Sequence, residues 1–544
     1  MWWKEGICLI LYLFSQVTLM CHGLKGECQG RDYGHGSIVC VCDTSHCDTL
    51  PHITPPILPS AFIISTNKAG RRWEVTSDNF IDLFSDSTFS DVLSDGELEE
   101  EEEEEEEVVV VKVEHGEGYQ KIIGFGGAFT DAAGLNILSL PPELQDTVLR
   151  AYYSPEGLEY TMGRVPVGGT DFSTHPYTYD DLPPGQTDPL LTKFALAKED
   201  LKVKIPLIQK ALAMSPVPIK LFGSAWGAPG WMKDSGKIAG KGKVLLKYYK
   251  TWAQYYVRFL QNYGQHNISF WGLTAQNEPT DGLQSSFSFN AVGWTPKEQA
   301  EWMGRFLGPT LESAGLGHIK LMVLDDNRIF LPKWVDDVMS NAAAAKYVSG
   351  VAVHWYTDWF TPPLTLDLTH SRHPQLFILY SEACTGQWPW QPLKVVLGYW
   401  PRAESYAANI IEGLEHWSTG WIDWNLALDV KGGPNWVKNN VDAPIIVNAS
   451  AGEVYKQPMY YTLAHFTKLL LPGSVRVKLS FPSVNYTNIL HTAFVRPDNA
   501  TVVTFLNRDN YSVRIRLHDH RLGSLRLRME PRSLVSVIWG APRD

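Results

Sequence analysis

The chain has 544 residues, too many for one ordinary domain, and 44% of them are apolar, enough for a large core. A net charge of −12 and the lack of any basic stripe exclude a nucleic-acid binder. Nine of the charges form an unbroken glutamate run at 99–107; −12 less those nine leaves −3, and in an acidic compartment the 16 histidines would turn this near-neutral remainder positive and draw it to an anionic membrane surface.

The start, MWWKEGICLILYLFSQVTLMCHG, sets Lys4 before an apolar stretch over 7–20, too short to span a bilayer and typical of a secretory signal. Residues 1–23 are expected to be a signal peptide, and the mature chain luminal or secreted. Cys28, Cys40, Cys42 and Cys47 cluster behind it, which in a secreted chain reads as two disulfides. Cys40 and Cys42 are too close to pair easily, which favours Cys28–Cys40 with Cys42–Cys47, and the spacing lacks the Cys-x-x-Cys pairs of a zinc site. Cys384 is left as a free thiol. Asn267, Asn448, Asn485, Asn499 and Asn510 head Asn-x-Ser/Thr sequons, several of which are expected to carry glycans.

Residues 51–122 hold short apolar runs, SAFIIST and VVVVKV, that read as β-strands. The Ser/Asp/Glu-rich stretch 85–107 has no periodicity and reads as a disordered, solvated insertion rather than a calcium site. From 123 to 425 the texture changes. EYTMGRVPVGG, PIKLFGSAWGAPG, SFWGLTAQNEP, IKLMVLDDN, VSGVAVHWY and LFILYSEACTG read as strands running into loops, and GFGGAFTD as a tight first strand and turn. Between them, 244–264 and 296–315 have helical apolar spacing. This alternation predicts a parallel (β/α)8 TIM barrel of the α/β class, with its chemistry at the carboxyl ends of the strands. Behind Asn425, LALDVKGGPNW, APIIVNAS, VRVKLSF, HTAFVRP, TVVTFLN, SVRIRL and SLVSVIW predict a β-sandwich, which the N-terminal strands would complete.

Two acids stand out, each alone at the end of an apolar strand: Glu278 in LTAQNEP and Glu382 in LFILYSEACTG. Their separation of 104 residues (278 to 382) fits three βα units, which lets both face one barrel mouth. Two carboxylates over one cleft suit glycoside hydrolysis, one protonated to donate and one ionised to attack. The bland alternative, two structural ion-pair partners, is weakened by the neighbours. Asn277 is placed to hold a sugar hydroxyl. His354 and Tyr356 end the preceding strand and are expected to orient Glu382. Asp171, Trp226, Trp424 and Asn439 offer hydroxyl acceptors and stacking faces, and Arg164, Asp325 and Asp326 join the strand-end polar set. GFGGAFTD lacks phosphate-loop spacing, and Ser381 lacks a nucleophile elbow. The adjacent acids of LDDNR point opposite ways on a strand, so no metal and no cofactor are assigned.

FGGAFTDAAGLNILSL, GRVPVGGTDFS, TAQNEP, VAVHWY, SEAC, WIDWNLALDVKGGPNWVKNNVDAPII and YKQPMYY together resemble the family 30 glycoside hydrolases, in order and spacing from about Cys28 to the C-terminus. The resemblance implies a retaining β-glucosidase acting on glucosylceramide in the lysosome lumen, peripherally associated with the membrane. Glu278 matches the proton donor and Glu382 the nucleophile. Asp171, Phe172, Trp226, Asn277, Phe287, Phe289, Trp424 and Asn439 match substrate-binding positions, and Tyr356 lies beside the nucleophile. It also implies a small disulfide-linked β domain (24–53 with 426–457), an immunoglobulin-like β domain (54–122 with 474–544) and a barrel over 123–425 with 458–473. Implied partners are glucosylceramide in anionic membranes, an activator saposin and a lysosomal transport receptor. Gln276 departs from the pattern, which leads one to expect an acid there; a missing charge would lower the pKa of Glu278. Phe287 departs too, standing where a tyrosine is expected. Other readings are a family relative cleaving a different β-glycoside and a non-catalytic sugar-binding protein.

Overall fold

A computed structural model describes residues 26–81, 108–481 and 488–541. The expected signal peptide, the acidic stretch and Asn485 lie outside the described residues. Eight parallel strands close into a barrel: β1 (Gly124–Ala128), β2 (Met162–Val167), β3 (Lys220–Ala225), β4 (Gly272–Thr274), β5 (Lys320–Asn327), β6 (Val348–His354), β7 (Phe377–Glu382) and β8 (Ser418–Asn425). Each pairs with the next in sequence, and β8 closes on β1. The strands are buried on both faces because helices cover the outside, which explains their continuous apolar runs. Met162, Phe222, Met322, Ala352, Leu379 and Ile422 form one interior cluster, so the barrel is packed rather than hollow.

The glycines of β1 serve close approach. A Cβ on Gly126 would lie 2.2 Å from the Met162 carbonyl oxygen, and one on Gly420 would lie 2.0 Å from that of Gly124. The β8–β1–β2 seam therefore admits no side chain at either position.

Two further sheets flank the barrel. Gly30–Asp32, Ile38–Cys42, Glu453–Lys456, Ile445–Asn448 and Ala427–Asp429 form a five-stranded sheet stapled by the Cys28–Cys40 and Cys42–Cys47 disulfides. Nine strands, from Ser60–Asn67, Glu74–Asn79 and Val108–Lys121 on one side of the barrel sequence and five segments between Val475 and Trp539 plus Gly523–Met529 on the other, form the β-sandwich. An Ile81–Ser524 bridge joins the two ends of that sheet, rolling it around Val111, Phe505, Leu517, Leu525 and Trp539.

The 296–315 segment, expected as one helix, is broken into Pro296–Trp302, a π turn at Met303–Leu307, and Gly308–Ser313. Pro309 supplies no N–H, so the ladder widens ahead of it. Of the sequons, Asn267, Asn499 and Asn510 are exposed and Asn448 is half-buried.

Candidate active site

The carboxyl ends of the strands converge on one cleft. Asp171 and Phe172 follow β2, Trp226 follows β3, Glu278 lies four residues past β4, Glu382 ends β7 and Trp424 lies in β8. With Phe289, Tyr356, Cys384, Trp388 and Asn439 they line a cavity of about 260 Å³, room for one sugar ring. One carboxylate oxygen of Glu278 and one of Glu382 lie within 4.8 Å of each other.

The two acids are furnished differently. Glu382 receives the Tyr356 hydroxyl on Oε1 at 2.7 Å, while the Arg164 guanidinium bonds its Oε2. Arg164 is fully buried in β2; it also donates to Asn277 Oδ1 and Asp325 Oδ2, both at 2.8 Å, and lies over the rings of Trp226 and Trp424. Burial pushes Glu382 above the ordinary carboxyl range, and the charges of His354 and Arg164 pull against it. Glu278 faces His354 Nδ1 at 3.0 Å, and His354 Nε2 faces Asp325 Oδ1 at 3.0 Å. Burial alone would disfavour a charged His354, but the Glu382 charge and the hydrogen bonds to Asp325 and Glu278 push it up to about 10. The imidazolium overcomes the effect of burial on Glu278 and holds it below its usual value.

The far wall is set for hydroxyls. Trp226 and Trp424 stack at 5.0 Å. Asp171 Oδ2 accepts from the amides of Asn435 and Asn439 at 3.2 and 3.3 Å. Burial, then the Glu382 charge, pushes Asp171 up to about 7, so in acid its carboxyl can both donate to and accept from a hydroxyl.

The barrel region at 122–470 matches the family model for the glycosyl hydrolase family 30 TIM-barrel domain, and 473–537 matches the family 30 β-sandwich domain. The chain belongs to glycoside hydrolase family 30. It is 40% identical over 536 residues to the lysosomal acid glucosylceramidase of Mus musculus, covering 98% of this chain and 99% of that one. It is 39% identical over 544 residues to putative glucosylceramidase 3 of Caenorhabditis elegans, covering 99% of each. Among solved structures, SrfJ from Salmonella typhimurium superposes with a TM-score of 0.76 at 25% identity, over 89% of this chain and all of that one.

Three expectations are corrected within this family 30 cleft. His354 does not orient Glu382; its ring addresses Glu278 and Asp325, and Tyr356 alone of that strand end reaches Glu382. Gln276 does not face Glu278, because its amide turns back to donate to the Ala225 and Trp226 carbonyls at 2.8 Å each. Phe289 lines the cleft, whereas Phe287 packs on the Phe289 ring at a centroid distance of 4.2 Å. The adjacent acids of β5 part company through a bulge with positive φ at Leu324 (71°) and Asp325 (53°). Asp325 turns to Arg164 and His354, and Asp326 accepts the Thr280 hydroxyl at 2.7 Å. Asp281, which no strand-end pattern marks, lies against Glu278.

Proposed function

We propose that this family 30 glycoside hydrolase is a retaining β-glucosidase that cleaves glucosylceramide to glucose and ceramide in the lysosome. The observation that carries the reading is the close approach of two carboxylates with opposite furnishing over a one-ring cleft. Retaining enzymes hold the two carboxyls about 5–5.5 Å apart and inverting ones about 6.5–9.5 Å apart; an oxygen pair within 4.8 Å suits the former. Glu382, with two donors to its charged form, is the nucleophile. Its oxygen bonds the anomeric carbon as the glycosidic C–O bond breaks, and Glu278 passes a proton to the departing ceramide oxygen. A water oxygen then attacks the same carbon, gives its proton to Glu278 and releases glucose from Glu382. Asp171, Trp226, Asn277, Trp424 and Asn439 hold the ring.

A lipid aglycone is supported by the rim. Trp388 in the cleft wall stacks on Trp390 at 4.8 Å, and Trp390 and Trp359 are 70% and 72% exposed. Such rings suit a membrane–water interface. Among the described residues no helix is long and apolar enough to cross a membrane. An activator saposin and an anionic bilayer are the partners we assign, with a lysosomal transport receptor for delivery.

The test is product analysis with glucosylceramide in anionic vesicles at acidic pH, with and without saposin. Glucose and ceramide should appear in equal amounts. Glu382→Gln should abolish turnover, and Glu278→Gln should spare only substrates with good leaving groups. Full turnover by Glu382→Gln would overturn the assignment.

A further inference from the structure

Glu278 opens a tight turn. Its φ of +40° is left-handed, which is costly for a residue with a Cβ and is held here from both sides. The Glu278 N–H donates to the Asp325 carbonyl at 2.8 Å, and the Glu278 carbonyl accepts the Asp281 N–H at 3.0 Å. From β5, Asp326 Oδ2 grips the turn through the Thr280 N–H and hydroxyl, at 3.3 and 2.7 Å. One turn of Glu278-Pro279-Thr280-Asp281 thus brings the Asp281 side chain back against the Glu278 carboxyl. Gln284 Nε2 donates to Asp281 Oδ1 at 3.0 Å and fixes it from the solvent side. Two buried carboxyl groups side by side do not both ionise, so the pair keeps a proton.

That proton answers a difficulty in the site. A general acid must be protonated before it can donate. Yet the groups facing Glu278 favour its ionised form: His354 on β6, itself paired with Asp325, and Arg164 on β2. The acidic groups in reach are Asp326 on β5, Glu382 on β7 and Asp171 behind β2, and the first two push Asp281 in the opposite sense. Burial and the Glu278 charge push Asp281 up to about 11, so at rest it is the member of the pair that keeps the proton.

We propose that Asp281 is a positioning residue for the acid step, holding at rest the proton that Glu278 delivers to the leaving oxygen. The proposal rests on the reading of Glu278 as the acid/base. In the first half-reaction the shared proton moves from the Asp281 oxygen onto Glu278 and from Glu278 to the glycosidic oxygen as the C–O bond breaks, which leaves both carboxyls ionised. In the second, the attacking water returns one proton to the pair while its oxygen bonds the anomeric carbon and Glu382 departs. The pair starts and ends with one proton.

The test uses full-length Asp281→Asn and Asp281→Ala, with kcat/KM measured against pH on an alkyl β-glucoside, whose departure needs a proton, and on a dinitrophenyl β-glucoside, whose departure does not. Rates are normalised to the fraction of molecules that a 2-deoxy-2-fluoroglucoside labels, so misfolded protein does not count. For the alkyl substrate both variants should shift the basic limb to lower pH by about one unit or more and lose about 10–100-fold near neutral pH. The dinitrophenyl substrate should lose less than about threefold. A basic limb that stays in place, or an equal loss on both substrates, overturns the proposal. Glu278→Gln in parallel separates the two claims: if it turns over the alkyl glucoside at the full rate, the reading of Glu278 fails, whereas an inactive Glu278→Gln beside an unmoved Asp281→Asn profile rejects Asp281 alone.

Discussion

Replacing Tyr356 with Phe removes one atom from the nucleophile's surroundings. The hydroxyl donates to Glu382 Oε1 at 2.7 Å, and its oxygen lies 3.4 Å from Cys384 Sγ. Burial already pushes Glu382 up, with Arg164, His354 and this hydroxyl opposing it. A hydrogen bond to a charged group contributes about 1.5–3 kcal/mol, and one pH unit corresponds to about 1.36 kcal/mol. The hydroxyl stabilises the ionised form, so its loss raises the pKa of Glu382. The attacking carboxylate is then present only at higher pH, and the acid limb of kcat/KM should move up by about 1–2 units. Below the wild-type limb this is a loss of about 10–100-fold, shrinking as pH rises toward the new limb and absent above it. The assay is a pH profile with a dinitrophenyl glucoside, which takes proton donation out of the measurement. An acid limb left in place, with a loss uniform across pH, would refute the reasoning.

Three other outcomes are expected. His465 is buried between Ser536 and Thr66 and held down to about 3 by burial, so the folded chain keeps it neutral while the unfolded chain binds a proton below about 6.5; stability is therefore lost as pH falls, by about 2 kcal/mol between pH 7 and pH 5. In His465→Gln that pH-dependent loss, read by urea unfolding, should shrink, and an unchanged loss would contradict it. Lys204 is fully buried, 2.9 Å from Asp200 and 3.7 Å from Asp131; Lys204→Met strands two buried acids and should cost about 3–5 kcal/mol by the same assay, a change under about 1 kcal/mol arguing against the network. Gln276→Glu can donate to at most one of the three carbonyls the amide now serves; it should lower stability by about 1–3 kcal/mol and leave both limbs of the pH profile in place, whereas a shifted basic limb would show that position 276 acts on Glu278.

The barrel is legible in the sequence because parallel strands covered on both faces must be continuously apolar, and a lone acid at the end of such a strand contrasts with its surroundings. Glu278 and Glu382 are legible for that reason. What the pattern does not carry is the third dimension of the loops. Strand β4 is only three residues long, and AQNEP is already loop. A simple alternation sends Asp325 and Asp326 to opposite faces, but the backbone bulge decides which of them meets Arg164. His354 ends β6 and meets Glu278 because the loop after β4 and strand β5 bring Glu278 and Asp325 to its two ring nitrogens, a fact of register rather than spacing. Asp281 comes back to Glu278 through one turn whose φ the sequence does not announce. In the sandwich, Gly523–Met529 escapes the reading although it alternates, with Leu525, Leu527 and Met529 buried and Arg526 and Arg528 exposed.

The central claim is tested most directly by trapping the first intermediate. Incubation with a 2-deoxy-2-fluoro-β-glucosyl fluoride, followed by digestion and peptide mass mapping, should place one fluoroglucosyl group on Glu382 in ILYSEAC, with activity lost in proportion to labelling. An unlabelled Glu382 in an inactivated enzyme, or a label on Glu278 or any other side chain, would contradict the account.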